Sequence, residues 1–546
     1  MHFSIKRSQG MEDTPKEALN FRLFWSAAIF GLLGAARGLD EGLVGGMVSM
    51  QSFKDDFNLE EGSEQHQADV LSNITSMVQL GSIVGSLLAF FVCDRVGRVR
   101  TLQLLCVLWL AGFIIVITSQ GNTGQLIAGR FFAGLGIGMT TVVGPTYIAE
   151  IAPKGQRGML TNLFAGSVYL GATISFISNW RASANLPDTT SWQWRAPQFV
   201  HIGFSTLFLA LSFTVLETPR YHTICGDHEQ AEKALCKLRN LDSSHPYVQS
   251  EIIGIREQLE REKEASHGVS RWGKVRELLL VPANRYRLML GAFSQILGQW
   301  SGANSITIYA PEFFGALGYQ GQTEKLFASC ILGIVKLTSA YLAAFFIIDF
   351  IGRRRSLYTG ITLQLFCLLY VAIFLGVTPS DKFENNDLSP MQHRAAVGSV
   401  AMIYLSGIGW TIGWNSYQYL VNAEIWPLRL RALGSSLTMC LHFLNQFGNT
   451  KAVPSMLLDL HNYGFFAFCV AVSFLSIVWV WFFVPELTGR SLEETDAIFA
   501  LPWYKVGRHG HKIVAASDSH NLQRDNEKDP EAFGATYVED PEKRQN

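Results

Sequence analysis

The chain has 546 residues, of which 48% are hydrophobic and only 16% charged, and its formal net charge is −1. The charges are bunched between long apolar stretches instead of being spread at helical spacing, which excludes an ordinary soluble domain, and the near-zero charge offers no overall basicity for nucleic acid. An apolar run of roughly 20 residues spans a bilayer as a helix. Six such runs before residue 220 and six after residue 285 predict an all-α membrane protein of twelve transmembrane helices in two six-helix halves.

In chain order, a segment at 1–20 carries Lys6, Arg7 and Lys16 and is expected in the cytoplasm, with no cleavable signal before the first run. The first run, Phe24 to Gly46, contains Arg37, Asp40 and Glu41. Runs near 68–92, 101–118, 124–148, 158–179 and 198–216 complete a first half at 21–220, and the fourth of these six contains Arg130. An ionisable group near the middle of an apolar helix costs roughly 2.5–3.5 kcal/mol on insertion scales, so it is functional by default. Arg37, Asp40, Arg130 and, in the second half, Lys336 meet that description. Arg37 and Glu41, four residues apart, can pair along one helix face. The sequon Asn73-Ile74-Thr75 lies inside the second run, out of reach of a glycosylating enzyme.

Residues 221–284 are polar and helix-forming and are expected as cytoplasmic linker helices. A second half at 285–485 follows, with runs near 286–311, 326–348, 356–377, 396–421, 431–455 and 463–484. The polar stretch 486–546 is expected as a cytoplasmic, largely disordered tail. The halves echo each other. Asp94-Arg95-Val96-Gly97-Arg98 returns as Asp349-Phe350-Ile351-Gly352-Arg353, and the span from Glu150 to Arg157 returns from Glu424 to Arg431 with a proline three residues after each glutamate. Glu217 to Arg220 returns from Glu486 to Arg490. These basic loops alternate with acidic ones such as Asp55, Asp56, Glu60 and Glu61, so the positive-inside rule puts both termini in the cytoplasm. Parallel six-helix repeats are a transporter architecture in which solute binds midway between the halves. The eight cysteines form no disulfide or metal-binding spacing, and no nucleophile–base set or phosphate loop accompanies them. Neither an enzyme nor a cofactor or metal is expected.

In combination these elements resemble the sugar porter family of the major facilitator superfamily, from about Phe21 to Glu494. The matching residues are Gly38-Leu39-Asp40, Asp94-Arg95-x-Gly97-Arg98, Arg130, Pro145-x-Tyr147-x-x-Glu150 with Arg157-Gly158, and Glu217-x-Pro219-Arg220. The second half adds Gln299-x-x-Gly302-x-Asn304, Asp349 with Gly352-Arg353-Arg354, Glu424 with Arg431, and Pro485-Glu486-x-x-Gly489 with Glu493. The resemblance implies the major facilitator fold and secondary active transport by alternating access. It also implies a cytoplasmic gating network of Asp94, Arg95, Arg98, Glu150, Arg157, Glu217, Arg220, Asp349, Arg353, Arg354, Glu424, Arg431 and Glu486 that latches the outward-facing state. An aspartate at the position of Asp40, facing an arginine at that of Arg130, belongs to the family's proton-coupled members, so the resemblance implies proton symport; a permanent structural ion pair is the alternative.

For the solute site the resemblance implies Gln299, Asn304 and Tyr309 on the seventh helix, with Asn415, Tyr419 and His442 from the tenth and eleventh. Departures argue against a standard glucose cavity: Ala165 replaces the fifth-helix glutamine, Gly298 the first of a glutamine pair, and Tyr419 the tenth-helix tryptophan. Arg37 stands where the family has an apolar or aromatic group, and Lys336 and His442 add positive charge. That suits a carboxylate, which arginine recognises as a planar fork. The GLDEG, QWSGANSITIYAP and NSYQYLVNAE segments resemble fungal transporters of the galacturonate type. The leading expectation is proton-coupled uptake of a monosaccharide or sugar acid, foremost a uronate such as D-galacturonate, across the plasma membrane. The partners are then the solute, the proton and the lipid bilayer. A neutral hexose, pentose or deoxysugar is the alternative solute, and a non-transporting nutrient sensor on the same fold is the alternative of another class.

Overall fold

In hydrocarbon every backbone N–H and C=O must find its partner inside the chain, which leaves helices as the economical way across. A computed structural model describes residues 15–60, 63–153, 156–266, 271–343, 351–378, 389–415, 417–418, 425–427, 430–486, 498–499 and 501–507, and these are helical without strands. Ten helices among them are long and apolar enough to cross a membrane: Phe21–Ser49, Glu64–Val96, Arg98–Ile117, Thr123–Ile151, Gly158–Asn185, Trp192–Thr214, Gln322–Leu342, Arg353–Val377, Pro390–Asn415 and His461–Phe483. Two further helical stretches complete the twelve of the fold. The seventh span comes in three pieces, Pro282–Trp300, Ala303–Ile308 and Ala310–Ala316. The eleventh, Arg431–Asp459, carries His442, Asn445, Gln446, Asn449, Thr450 and Lys451 among its apolar residues.

The helices outrun the apolar segments that announce them. The second span starts at Glu64, where the Ser63 hydroxyl accepts from the His66 backbone N–H at 3.3 Å. The fourth span, Thr123–Ile151, holds Arg130 two turns inside its start. Between the halves run four shorter helices, Pro219–Ile224, His228–Arg239, Pro246–Ser266 and Arg271–Leu280. Buried Arg239 joins the second of these to Glu251 of the third at 2.8 and 2.5 Å, and the Asn20 amide donates to the Leu238 carbonyl at 2.8 Å. Linker and first span are thereby tied together.

The internal repeat is visible atom by atom. Glu217 accepts from the backbone N–H groups of Arg98 and Val99, both at 3.0 Å, and so closes the start of the third span with a carboxylate. Glu486 accepts from the N–H groups of Arg353 and Arg354 at 3.2 and 3.1 Å, doing the same for the ninth. A carboxylate there satisfies otherwise orphaned donors and complements the positive end of the helix dipole. Of the expected tail, only Glu486 and 498–499 and 501–507 are described; the rest lies outside the described residues.

The first span is rich in small residues, which lets it approach its neighbours closely. A Cβ on Gly38 would fall 1.7 Å from the Val168 carbonyl oxygen of the fifth span, within the same half. One on Gly45 would fall 1.7 Å from the Ile308 carbonyl oxygen of the seventh, across the two halves. At the end of the bundle remote from the linker, Gln322 joins the halves: it accepts from the Gln51 N–H at 3.1 Å and donates to Ser183 at 2.9 Å. A cavity of about 310 Å³ lies between Val48, Lys54, Glu64 and Leu71 on one side and Tyr309 and Glu312 of the seventh span with Pro454 and Leu457 of the eleventh on the other.

Candidate functional site

The first span presents two charged faces. Arg37 and Glu41, one turn apart, point towards the second half and pair at 2.7 Å. The Arg37 guanidinium also lies over the Phe443 ring, 5.8 Å from its centre. Gln446 of the eleventh span donates to the same Glu41 oxygen at 2.8 Å, so this carboxylate bridges the halves. Asp40, about 100° further round the helix, turns inward to the fourth span. Its Oδ1 is 3.2 Å and its Oδ2 3.5 Å from Nη2 of Arg130. Arg130 also donates from Nε to the Ile74 carbonyl at 2.6 Å, and both members of the pair are buried. Oδ1 accepts no well-directed hydrogen bond, so the pair is close without being locked.

Midway along the bundle lies a cavity of about 20 Å³ lined by Arg37, Glu41, Val168, Tyr169, Asn304, Thr307, Lys336, Trp410, Asn415, Gln418 and His442. Both halves contribute, and charged or amide groups meet two aromatic side chains there. The Trp410 indole donates to the Tyr169 hydroxyl across the halves at 2.7 Å. Space on this scale admits roughly one water molecule, so a six-membered ring enters only when the halves part.

Of the residues singled out for solute, Arg37, Asn304, Asn415 and His442 meet at this cavity. Gln299 is fully buried behind it, its amide 3.3 Å from Nδ1 of His442, which is also 2.7 Å from Gln295 Oε1. Tyr309 sits in the wall of the wider outer cavity. Its hydroxyl lies 2.8 Å from the Thr75 hydroxyl and donates to the Thr450 carbonyl at 2.8 Å. Tyr419 lies outside the described residues. Lys336, expected as added positive charge that suits a carboxylate, and Glu41, expected as the partner of Arg37, also line this cavity. Val168, Tyr169, Thr307, Trp410 and Gln418 carried no signal of their own, because each is brought in by packing between distant helices.

The linker-side network is built around Arg98, which reaches Asp94 at 2.8 Å and Glu150 at 2.7 Å. Glu150 also accepts from the Thr218 hydroxyl at 2.6 Å and lies 3.8 Å from Arg220. Arg220 in turn pairs with Glu262 of the linker at 2.7 Å. The Tyr221 hydroxyl donates to the Arg95 carbonyl at 3.3 Å, which ties the Arg95 loop to the linker by its backbone. Arg354 donates to the Trp481 carbonyl at 2.8 Å and the Gly507 carbonyl at 3.1 Å. Asp349, Glu424 and the side chains of Arg157 and Arg431 lie outside the described residues.

Comparison with known proteins matches this architecture. A family model described as "Sugar (and other) transporter" covers residues 26–499. The quinate permease of Neurospora africana is 29% identical over 522 residues, covering 94% of this chain and 95% of that one. A probable quinate permease of Neosartorya fischeri is 30% identical over 490 residues, covering 89% of each chain. Among solved structures, the partially occluded inward-open xylose transporter XylE from E. coli superposes with a TM-score of 0.71 at 20% identity, over 86% of this chain and 100% of that one. With twelve helices in two repeated halves and a family match across nearly its whole length, the chain belongs to the sugar (and other) transporter family of the major facilitator superfamily and is a multi-pass membrane transporter, not an enzyme.

Proposed function

We propose that the protein is a proton-coupled importer of a small, hydroxylated ring that carries a carboxylate. The observation that supports this best is the cavity between the halves, where the cations Arg37 and Lys336 stand beside Asn304 and Asn415 amides and the Tyr169–Trp410 pair. Amides donate to and accept from ring hydroxyls, aromatic faces cover an apolar ring face, and buried cations favour an anion. A uronate such as D-galacturonate has this chemistry. So does quinate, a hydroxylated cyclohexane carboxylate, and relatives named for quinate shift the preference towards it.

Coupling is assigned to Asp40 and Arg130. Their pair lies inside the first half, away from the cavity lining, on the same helix as Arg37 and Glu41. A proton on Asp40 releases Arg130, and a proton lost restores the pair; the helix that carries both faces transmits the change to the solute side. The linker-side network of Arg98, Glu150, Glu217 and Arg220, with Arg353, Arg354 and Glu486 as the second half's counterpart, is the proposed latch. Residues 1–20, the linker 221–284 and the segment from 486 are assigned to the cytoplasm of a plasma-membrane protein on the strength of the basic alternate loops.

A neutral polyol is the second reading, and it too has an observation behind it: the Arg37 charge is already met by Glu41 at 2.7 Å. Uptake of labelled quinate, D-galacturonate and glucose by cells without their own carriers separates the readings, at acid and alkaline external pH and with a protonophore. Acid-stimulated uptake of a carboxylate that collapses with the gradient is the expected result. Preference for glucose would overturn the acidic solute, and uptake of none of the three would favour a sensor.

A further inference from the structure

We propose that Lys336, and not Arg37, holds the carboxylate of the transported solute. This rests on the acidic-solute reading above and assigns the anchor within it. Lys336 belongs to the eighth span and is 2% exposed. Its stem lies along Gly407 of the tenth span, where an added Cβ would come within 3.2 Å of both Cγ and Cε. Room for the lysine is thus made by a residue of another helix. The ammonium donates to the Ala303 carbonyl at 3.2 Å and to the Thr307 hydroxyl, both on the short middle piece of the interrupted seventh span.

Those two acceptors are neutral, and an ammonium has three N–H groups to place. Among the described residues no carboxylate lies within 4.0 Å of Lys336 Nζ, although Nζ belongs to a residue lining the central cavity. Arg37 differs because Glu41 already occupies it. The charges point the same way. Counted as formal charges, the buried bases Arg37, Arg130 and Lys336 outnumber the buried acids Asp40 and Glu41 by one in the middle of the bundle, and a proton on Asp40 widens that excess. An uncompensated charge is costly in a medium of low dielectric. A monocarboxylate lowers that excess by one charge, whereas a neutral sugar leaves it unchanged. One oxygen of that carboxylate takes the remaining N–H, and the ring hydroxyls face Asn304 and Asn415 in the same cavity.

The test compares quinate with its uncharged methyl ester, using counterflow and equilibrium binding on the purified full-length protein in liposomes. Wild type is expected to prefer the acid. Lys336→Met, which keeps most of the stem and removes the charge, is expected to weaken acid binding by about 30-fold, the scale of a charge-assisted hydrogen bond, while ester binding stays within about threefold. Lys336→Arg is expected to restore part of the acid preference. Should Lys336→Met prove too unstable to purify, Gly407→Ala, which displaces the stem but keeps the ammonium, is expected to lower acid binding selectively. Acid binding unchanged in Lys336→Met, or acid and ester weakened alike, would overturn the assignment while leaving the acidic-solute reading intact. Equal binding of acid and ester by wild type would overturn both, and that arm involves no variant.

Discussion

Residues 40 and 41 are neighbours in the chain, yet they serve two regions of the molecule with opposite character. Asp40 and Arg130 lie within one half, buried together and away from the central cavity. Glu41 and Arg37 line that cavity, and Gln446 ties Glu41 to the other half. Any movement that parts the halves must break the Gln446 bond, whereas the Asp40–Arg130 pair does not straddle the interface. The α-helical turn of about 100° per residue is what lets one span hold both. The proposed proton site and the proposed solute face, on adjacent residues, can then be coupled by motion of a single helix, without contact between the two ligands.

The comparison breaks most severely at Arg130. Arg130→Ala leaves buried Asp40 without its partner, and removing one member of a buried ion pair costs about 3–5 kcal/mol. Gradient-driven accumulation should vanish and the Tm of the purified protein should fall; normal uptake with an unchanged Tm would remove the pair from the account. Next in size is Gly45→Leu, which places a side chain where Ile308 of the other half approaches. It should cut transport about tenfold by preventing the first and seventh spans from closing, while solute binding from the far side persists. Gly38→Leu meets Val168 within its own half, so it should instead depress folding and yield, measurable as the monodisperse fraction. If both variants fold and both transport, the distinction between contacts within and across the halves is wrong.

Smaller effects sharpen the solute face. Glu41→Gln frees Arg37 as a second cation and should tighten binding of an acid by about three- to tenfold while slowing turnover, as read by equilibrium binding against uptake rate. Unaltered acid binding would mean that Arg37 is not reachable by solute. Gln322→Ala removes hydrogen bonds worth about 0.5–1.5 kcal/mol each between the far ends of the halves. It should change the transport rate only a few-fold, with Cys substitutions near residue 51 becoming more accessible to a thiol reagent.

The twelve spans were legible because a bilayer tolerates few alternatives to an apolar helix, and the repeat was legible because paired motifs survive in both halves, at equal spacing for Asp94–Arg98 with Asp349–Arg353 and for Glu150–Arg157 with Glu424–Arg431. Glu217 and Glu486 belong to a looser echo, yet they make matching caps on the third and ninth spans. The Arg37–Glu41 pair follows from a spacing of four, and Asp40 with Arg130 from the family pattern. The cavity wall was much less legible. Tyr169 and Trp410 are 241 residues apart and meet only because the halves pack in one register. Lys336 reads in sequence as a costly charge of unknown depth. Its place beside Ala303 and Thr307 depends on the break in the seventh span and on the space left by Gly407.

The most direct test of the division between the two faces is Asp40→Asn in liposomes, with solute counterflow and solute-driven proton influx measured on the same preparation. The account predicts that counterflow persists, because the cavity lining is intact, while proton influx is lost. Proton influx at the wild-type ratio to solute in Asp40→Asn would contradict it.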